Sequence, residues 1–243
     1  MTPDRTAIVT GAGKRVGAVI ASALLEDGWT VVAHVHHGVD DVPEGAVKVT
    51  ADLADPSCAD AIFGVTQGLP PVQLLVNNAA RFAWDAFGEF GADEFDRHMA
   101  VNVRSVALLI DRFAASDDKA DGLIVNMLDS KLSAANPDFL SYTISKYALA
   151  SLTDLAARAL ASRGLRVNGI APALMLRSSG QSQKNFEIMH KNNPLGRGVE
   201  PEDVVAALRY LIDATAVTGQ IITIDGGQRF YGLDRDVQFL GEQ

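Results

Sequence analysis

Cysteine is almost missing from this 243-residue chain: Cys58 stands alone, which excludes an internal disulfide framework. There is also no proline-rich or low-complexity stretch to divide the chain, no apolar run of bilayer-spanning length and no charged-then-apolar leader. Together these absences predict a single domain over residues 1–243, cytoplasmic and away from membranes. Cations are the minority charge, 21 Lys and Arg against 30 Asp and Glu for a net −9. A general nucleic-acid surface needs a basic stripe and is thereby excluded, whereas local anion sites stay open. With 48% apolar residues the chain can bury one large core.

What is present alternates. Short runs rich in β-branched residues at 6–10, 29–35, 46–50, 72–76, 122–127, 165–170 and 220–224 read as buried strands. Helical patterns fill 19–25, 55–65, 93–113, 141–161 and 202–212, the last following Pro201 as a helix start should. This predicts an α/β fold, a doubly wound parallel sheet of about seven strands with helices on both faces, whose ligands sit beyond the carboxyl ends of the strands.

Two motifs fall at such strand ends. Residues 6–10 run into Gly11-Ala-Gly-Lys-Arg-Val-Gly17 and then a helix, the pattern of a phosphate cradle. A glycine cluster of this kind also makes an ordinary tight turn. Farther on, Tyr142 and Lys146 lie four apart in Ser141-Tyr-Thr-Ile-Ser-Lys146, on one helix face. A cation beside a phenol stabilises phenolate and draws its proton affinity down from a pKa of about 10. A solvated helix face has the same spacing.

In order and spacing, these motifs resemble the short-chain dehydrogenase/reductase family from Thr6 to about Gly227, which implies a Rossmann-type fold. Thr10-Gly-Ala-Gly-Lys-Arg-Val-Gly17 matches the cofactor loop and implies contacts from Gly11, Lys14, Arg15 and Val16. Asp52 and Leu53 match the adenine contact, and Asn77-Asn-Ala-Ala80 matches a strand-end motif that brings Asn78 and Ala79 to the cofactor. Tyr142 and Lys146 match the catalytic pair, which also touches the cofactor. Asn102 falls at the structural and proton-relay asparagine, and residues 168–172, ending at Pro172, resemble the segment beside the nicotinamide.

Two departures resemble the pteridine reductases and dihydromonapterin reductases within that family: Arg15 replaces a usual glycine, and Asp129 replaces the usual serine thirteen residues before the tyrosine. Phe82 lies where those enzymes stack an aromatic side chain on the pterin ring. Each has a plainer reading. Asp129 can cap a loop amide while Ser130 serves as the hydroxyl, Phe82 can be core or an apolar lip, and Arg15 can form a surface ion pair.

Charge decides the expected cofactor. His34-Val-His-His-Gly38 lacks the carboxylate that holds unphosphorylated ribose, and Arg15, His36 and His37 can receive a phosphate, so NADPH is expected over NADH. Asp40 and Asp41 oppose this choice. The three histidines suggest no metal site, since alternate strand residues face opposite ways. The resemblance implies hydride transfer to a carbon–nitrogen double bond of a dihydropterin. Tyr142 donates the proton, Lys146 lowers its proton affinity and holds the ribose, Asp129 has a raised proton affinity, and Asn102 holds a water. Phe82, Asp129, Tyr142 and Leu174 are the expected substrate contacts.

Residues 174–197 are polar and uneven; Ser178-Ser-Gly-Gln-Ser182 predicts a mobile lid, with Phe186, Ile188 and Met189 as apolar contacts. The tail 229–243, with Phe230, Tyr231 and Phe239, is implied to cross a subunit interface or line a neighbouring pocket. Helices 93–113 and 141–161 resemble those that pair subunits, implying a homotetramer. Two other functions share these residues: an NADPH-dependent reductase of ketones or oxoacyl thioesters, and a nucleotide-bound sensor without catalysis.

Overall fold

The computed structural model describes residues 5–115, 121–178 and 180–240. Its strands are β1 (Thr6–Val9), β2 (Thr30–Val35), β3 (Val47–Thr50), β4 (Val72–Asn77), β5 (Leu123–Met127), β6 (Arg166–Pro172) and β7 (Ile221–Ile224). They form one parallel sheet in the order β3-β2-β1-β4-β5-β6-β7. Strand order reverses at β1, which pairs with β2 on one side and β4 on the other, so a crevice opens beyond the carboxyl ends of β1 and β4.

The side-chain period of two builds two cores from the same strands. Ile8, Val32, Leu75 and Ile124 point to one face, where α2 (Cys58–Gly64), α4 (Ser105–Ala114) and α5 (Leu140–Leu160) bury Ile62, Phe113 and Leu149. Their neighbours Ala7, Val31, Leu74 and Val125 point to the other, against Ile20 and Leu24 of α1 (Arg15–Glu26) and Val204 and Leu208 of α7 (Pro201–Asp213). The expected doubly wound sheet is therefore observed. No helix among the described residues is long and apolar enough to cross a membrane.

Two segments differ from the pattern. The single helix expected over 93–113 is interrupted: α3 (Ala92–Met99) and α4 are joined by a π-helical turn, Ala100–Arg104, centred on Asn102. A π-turn takes up one extra residue and re-aims the helix beyond it, which hydrophobic period alone does not reveal. The expected mobile lid holds a helix, α6 (Gln183–His190), whose start is capped by Ser182 accepting from the Asn185 amide at 3.1 Å. Only Phe186 and Met189 supply a helical apolar spacing there, and Ile188 is exposed. Gln181 is buried and bonded to Arg177, Ser178 and Asn185, so this stretch is held by polar side chains. Ser179 lies outside the described residues.

His34 faces inward from β2. Its Nδ1 accepts from the Gly11 amide at 3.2 Å and its Nε2 lies 3.0 Å from the Ala51 carbonyl, which defines a neutral ring with the proton on Nε2. Burial holds its proton affinity below the usual value of 6.5, against the opposing pull of the Ala51 carbonyl. The unfolded chain therefore takes up a proton first. The stabilisation is complete above about pH 6.5 and is lost as pH falls through the folded value. Thermal unfolding of wild type and His34→Gln across pH 5–8 checks this: the wild type should lose stability relative to the variant on the acid side, and a pH-independent difference between them would refute the assignment.

Candidate active site

The glycine loop after β1 is shaped by contacts only glycine permits. Gly11 has φ +65°, and a Cβ on Gly17 would stand 2.1 Å from the Gly11 carbonyl and 2.5 Å from Asn78 Nδ2. The Thr10 hydroxyl accepts from the Asn78 and Ala79 amides at 2.9 and 3.0 Å, and Asn78 Nδ2 donates to the Thr10 carbonyl at 2.8 Å. The ends of β1 and β4 are thus bolted together at the crevice. Arg15 takes φ +54°, a left-handed conformation that costs a non-glycine residue about 1 kcal/mol. Its guanidinium donates to the Arg177 and Leu176 carbonyls at 3.0 and 3.3 Å, bridging the loop to the segment after β6.

On the same wall, exposed His36 lies 3.7 Å from Asp52, and its ring is 4.0 Å from that of His37. Asp40 accepts from the His37 amide at 3.3 Å, so a carboxylate does stand at this wall. With His34 turned inward, the three histidines do not converge.

At the end of β5, Tyr142 Oη donates to Asp129 Oδ2 at 2.8 Å, while Asp129 Oδ1 accepts from the Lys131 amide at 2.9 Å. Of the two neighbours Asp129 and Ser130, it is Asp129 whose side chain reaches the phenol. Burial raises the Asp129 carboxyl above the ordinary range, although the Lys131 amide and the Tyr142 hydroxyl pull it down. Tyr142 differs from expectation. Burial first, and then the charge and hydrogen bond of Asp129, push the phenol well above its usual value. Lys146 does not reverse this: its Nζ is tied to the Met127 carbonyl at 2.6 Å and lies 5.5 Å from the centre of the tyrosine ring. Burial brings the lysine itself down to about 8.

The Asn102 side chain is engaged on both its oxygen and its nitrogen. Its Nδ2 donates to the Ser145 hydroxyl at 2.9 Å and the Arg81 carbonyl at 3.0 Å, and its Oδ1 accepts from the Arg81 amide at 2.7 Å. Both amide protons are used, so the side chain clamps the loop before Phe82 to α5.

A residue that sequence reasoning missed holds the start of α5. The N-cap residue Phe139 has φ +56° and provides no side-chain cap. Asp85, buried in a loop more than fifty residues upstream, fills the gap: Oδ1 accepts from the Ser141 amide at 2.9 Å, Oδ2 from the Ser141 hydroxyl, and its carbonyl from the Leu140 amide at 3.1 Å. No local signal marks Asp85, because a cap supplied from another segment has no fixed spacing.

These elements surround a cavity of about 860 Å³. Gly11, Lys14, Arg15, Val16, His36, His37, Asp52, Leu53, Asn78, Ala79, Phe82, Asp129, Tyr142, Lys146, Pro172 and Leu174 all line it, and Asn102 stands behind the wall. Phe82 packs on Phe139 at 4.3 Å and edge-on to Tyr142 at 4.8 Å, yet remains 43% exposed. The tail contributes Leu233, Arg235, Asp236 and Val237 to this same cavity, whereas Phe230 and Tyr231 are exposed. Residues 241–243 of the tail lie outside the described residues.

Comparison with known proteins gives several matches. A family model described as enoyl-(acyl carrier protein) reductase matches residues 11–229. L-xylulose reductase of Bos taurus is 32% identical, the match covering 92% of this chain and 96% of that protein. Pteridine reductase 1 of Leishmania tarentolae is also 32% identical, covering 94% and 96%. Among solved structures, the FolM alternative dihydrofolate reductase 1 of Brucella canis, complexed with NADP, superposes with a TM-score of 0.87 at 34% identity, covering 93% of this chain and 94% of that one.

The cap on α5 can be tested independently of substrate. Asp85→Ala strips acceptors from the buried first turn of α5 and should lower stability by about 1–2 kcal/mol in urea unfolding, with Asp85→Asn less affected. An unchanged midpoint for the alanine variant would contradict the capping role.

Proposed function

Since this chain belongs to the short-chain dehydrogenase/reductase family, we propose that it is an NADPH-dependent reductase of a pterin-type ring, a dihydropterin, dihydromonapterin or dihydrofolate, with Tyr142 as proton donor. One observation carries the choice of substrate: the phenol of Tyr142 and the carboxyl of Asp129 meet at 2.8 Å beside the half-open ring of Phe82. A flat heterocycle fits an aromatic platform, and its ring nitrogen needs a proton. The pteridine reductase and the NADP-bound dihydrofolate reductase among the relatives agree with this reading.

The glycine loop fits a dinucleotide, because the close approach of Gly17 to Gly11 brings the start of α1 to the crevice floor with its amides free for anionic oxygens. Lys14, Arg15, His36 and His37 would attract the additional phosphate of NADPH over the opposing Asp40. Lys146 and Asn78 would border the nicotinamide half. When bound, the cofactor supplies the hydride.

The protein's part is proton supply. Tyr142, kept protonated by burial and by Asp129, gives its Oη proton to the ring nitrogen as the adjacent carbon is reduced. Asp129, whose Oδ2 accepts from that hydroxyl and whose proton affinity burial raises, is placed to relay a replacement proton to it. The Lys146 ammonium offsets phenolate charge as it develops. Pairing between subunits would use α5, where Ile144, Tyr147 and Leu155 are exposed.

A carbonyl reductase remains the second reading, because L-xylulose reductase is as similar as the pteridine reductase. An NADPH oxidation assay over dihydropterins, dihydrofolate, sugar ketones and oxoacyl thioesters separates the two. Turnover with the pterins is expected, and activity on carbonyl compounds alone would overturn the reading. Tyr142→Phe should lower kcat about 100-fold or more, and Asp129→Asn by a smaller factor; unchanged turnover in Tyr142→Phe would exclude it as donor. Reduction should also weaken as pH rises through about 8, where Lys146 loses its charge. A pH–rate profile that increases over this range would contradict the role of the Lys146 charge.

A further inference from the structure

One wall of the cavity has no part in this proton supply. It is a C-terminal strap, residues 233–237, lying across the same space as Phe82, Asp129 and Tyr142. The strap is fastened at several points. Arg235 Nε and Nη2 donate to the two oxygens of Asp138 at 2.8 and 2.9 Å, and the Asp236 amide donates to Asp138 Oδ2 at 2.8 Å. Lys131 Nζ contacts Asp236 Oδ2 at 2.7 Å and Asn136 Oδ1 at 2.7 Å. Asp138 and Lys131 are buried, and such paired, fork-shaped contacts hold geometry far better than exposed ion pairs. Both lie in the chain between Asp129 and Tyr142, so the strap is tied to the segment that carries the proton donors. Phe239 continues the attachment by stacking on Phe139, itself behind Phe82.

Within the strap, Asp236 is the group with chemistry to offer. Its side chain is 13% exposed; one oxygen takes Lys131 and the other accepts from the Gln238 amide at 3.0 Å, which leaves each oxygen a further lone pair. Its charge is felt at Tyr142, where it adds to the effects of burial and Asp129. It lines the cavity that also holds Tyr142 and Phe82, as an acceptor without donors.

We propose that Asp236 is a specificity-determining residue whose carboxylate accepts hydrogen bonds from the amino-bearing edge of the substrate ring, a 2-aminopyrimidine-type edge, while Phe82 takes the ring face. This rests on the pterin reading. An acceptor-only group rewards N–H donors and repels a carbonyl oxygen of the same shape, so it selects between ring edges that apolar packing cannot distinguish.

The test uses the full-length enzyme with NADP+ bound, titrated with a 2-amino-4-oxopteridine and with its 2,4-dioxo counterpart, alongside NADPH oxidation with the dihydro forms. Wild type should prefer the amino compound by about 10-fold or more, as expected where a charged hydrogen-bonding partner is lost. Asp236→Asn should abolish most of that preference without changing the KM for NADPH. Arg235→Ala, which loosens the strap, should weaken both ligands alike and keep the preference. If Asp236→Asn fails to fold because Lys131 loses its partner, the double variant Lys131→Met/Asp236→Asn carries the same expectation. A preference retained in the asparagine variant overturns the inference while the pterin reading stands, as does an equal loss of preference in Arg235→Ala or a wild type that binds both compounds equally. A wild type that neither binds nor reduces either pteridine overturns the pterin reading and this inference together.

Discussion

The hydrogen bond between a buried phenol and a half-buried carboxyl is the constraint around which the rest of this molecule is arranged. Taking Tyr142 and Asp129 out of water opposes ionisation of both and raises the proton affinity of each beside the cavity. A 2.8 Å contact between groups on different elements survives only if both elements are fixed. Asp129 is fixed by its own bond to the Lys131 amide just past β5, and Tyr142 by the first turn of α5. That turn depends on Asp85, and α5 is joined to the Phe82 loop through Ser145 and Asn102. The acid corner is thus supported in part by Asp85, Asn102 and Ser145, which do not line the cavity.

A second constraint is the parallel sheet itself. Because strands buried on both faces send apolar side chains alternately to two helical layers, polar chemistry is left to the strand ends. Thr10, Asn78, Asp129 and Pro172 all follow or close strands, and all stand at or beside one cavity. The order reversal at β1 is what makes their ends diverge into a crevice deep enough for a dinucleotide.

Relatives of similar identity are named for sugars and for pteridines, which agrees with this division of labour. The tyrosine and lysine belong to helix α5, whereas other parts of the cavity wall are made by three separate segments: the Phe82 loop, the stretch after β6 and the C-terminal strap. Loops of this kind change without disturbing the sheet. Arg15 belongs to both halves, since it accepts left-handed backbone strain in the glycine loop while its guanidinium reaches the carbonyls after β6.

Much of this architecture is legible in the chain itself. Short β-branched runs located all seven strands, and residue spacing located the glycine loop after β1 and put Tyr142 and Lys146 on one face of a helix, because these signals are local and set by backbone geometry, whereas Asp129 stood out only through the family resemblance. The cap from Asp85 and the fastening of the strap were not readable, since each joins residues distant in the chain, and the π-turn at Asn102 leaves no mark on the hydrophobic period. The direction of the Tyr142 shift belongs with them: spacing brought a lysine near the phenol, but burial and the carboxylate opposite it decide the outcome. Order along the chain determined which chemical groups this protein owns and which ends of which strands carry them. Only the folded packing decided how deeply each is buried and what it faces, because desolvation and hydrogen-bond direction exist in three dimensions alone.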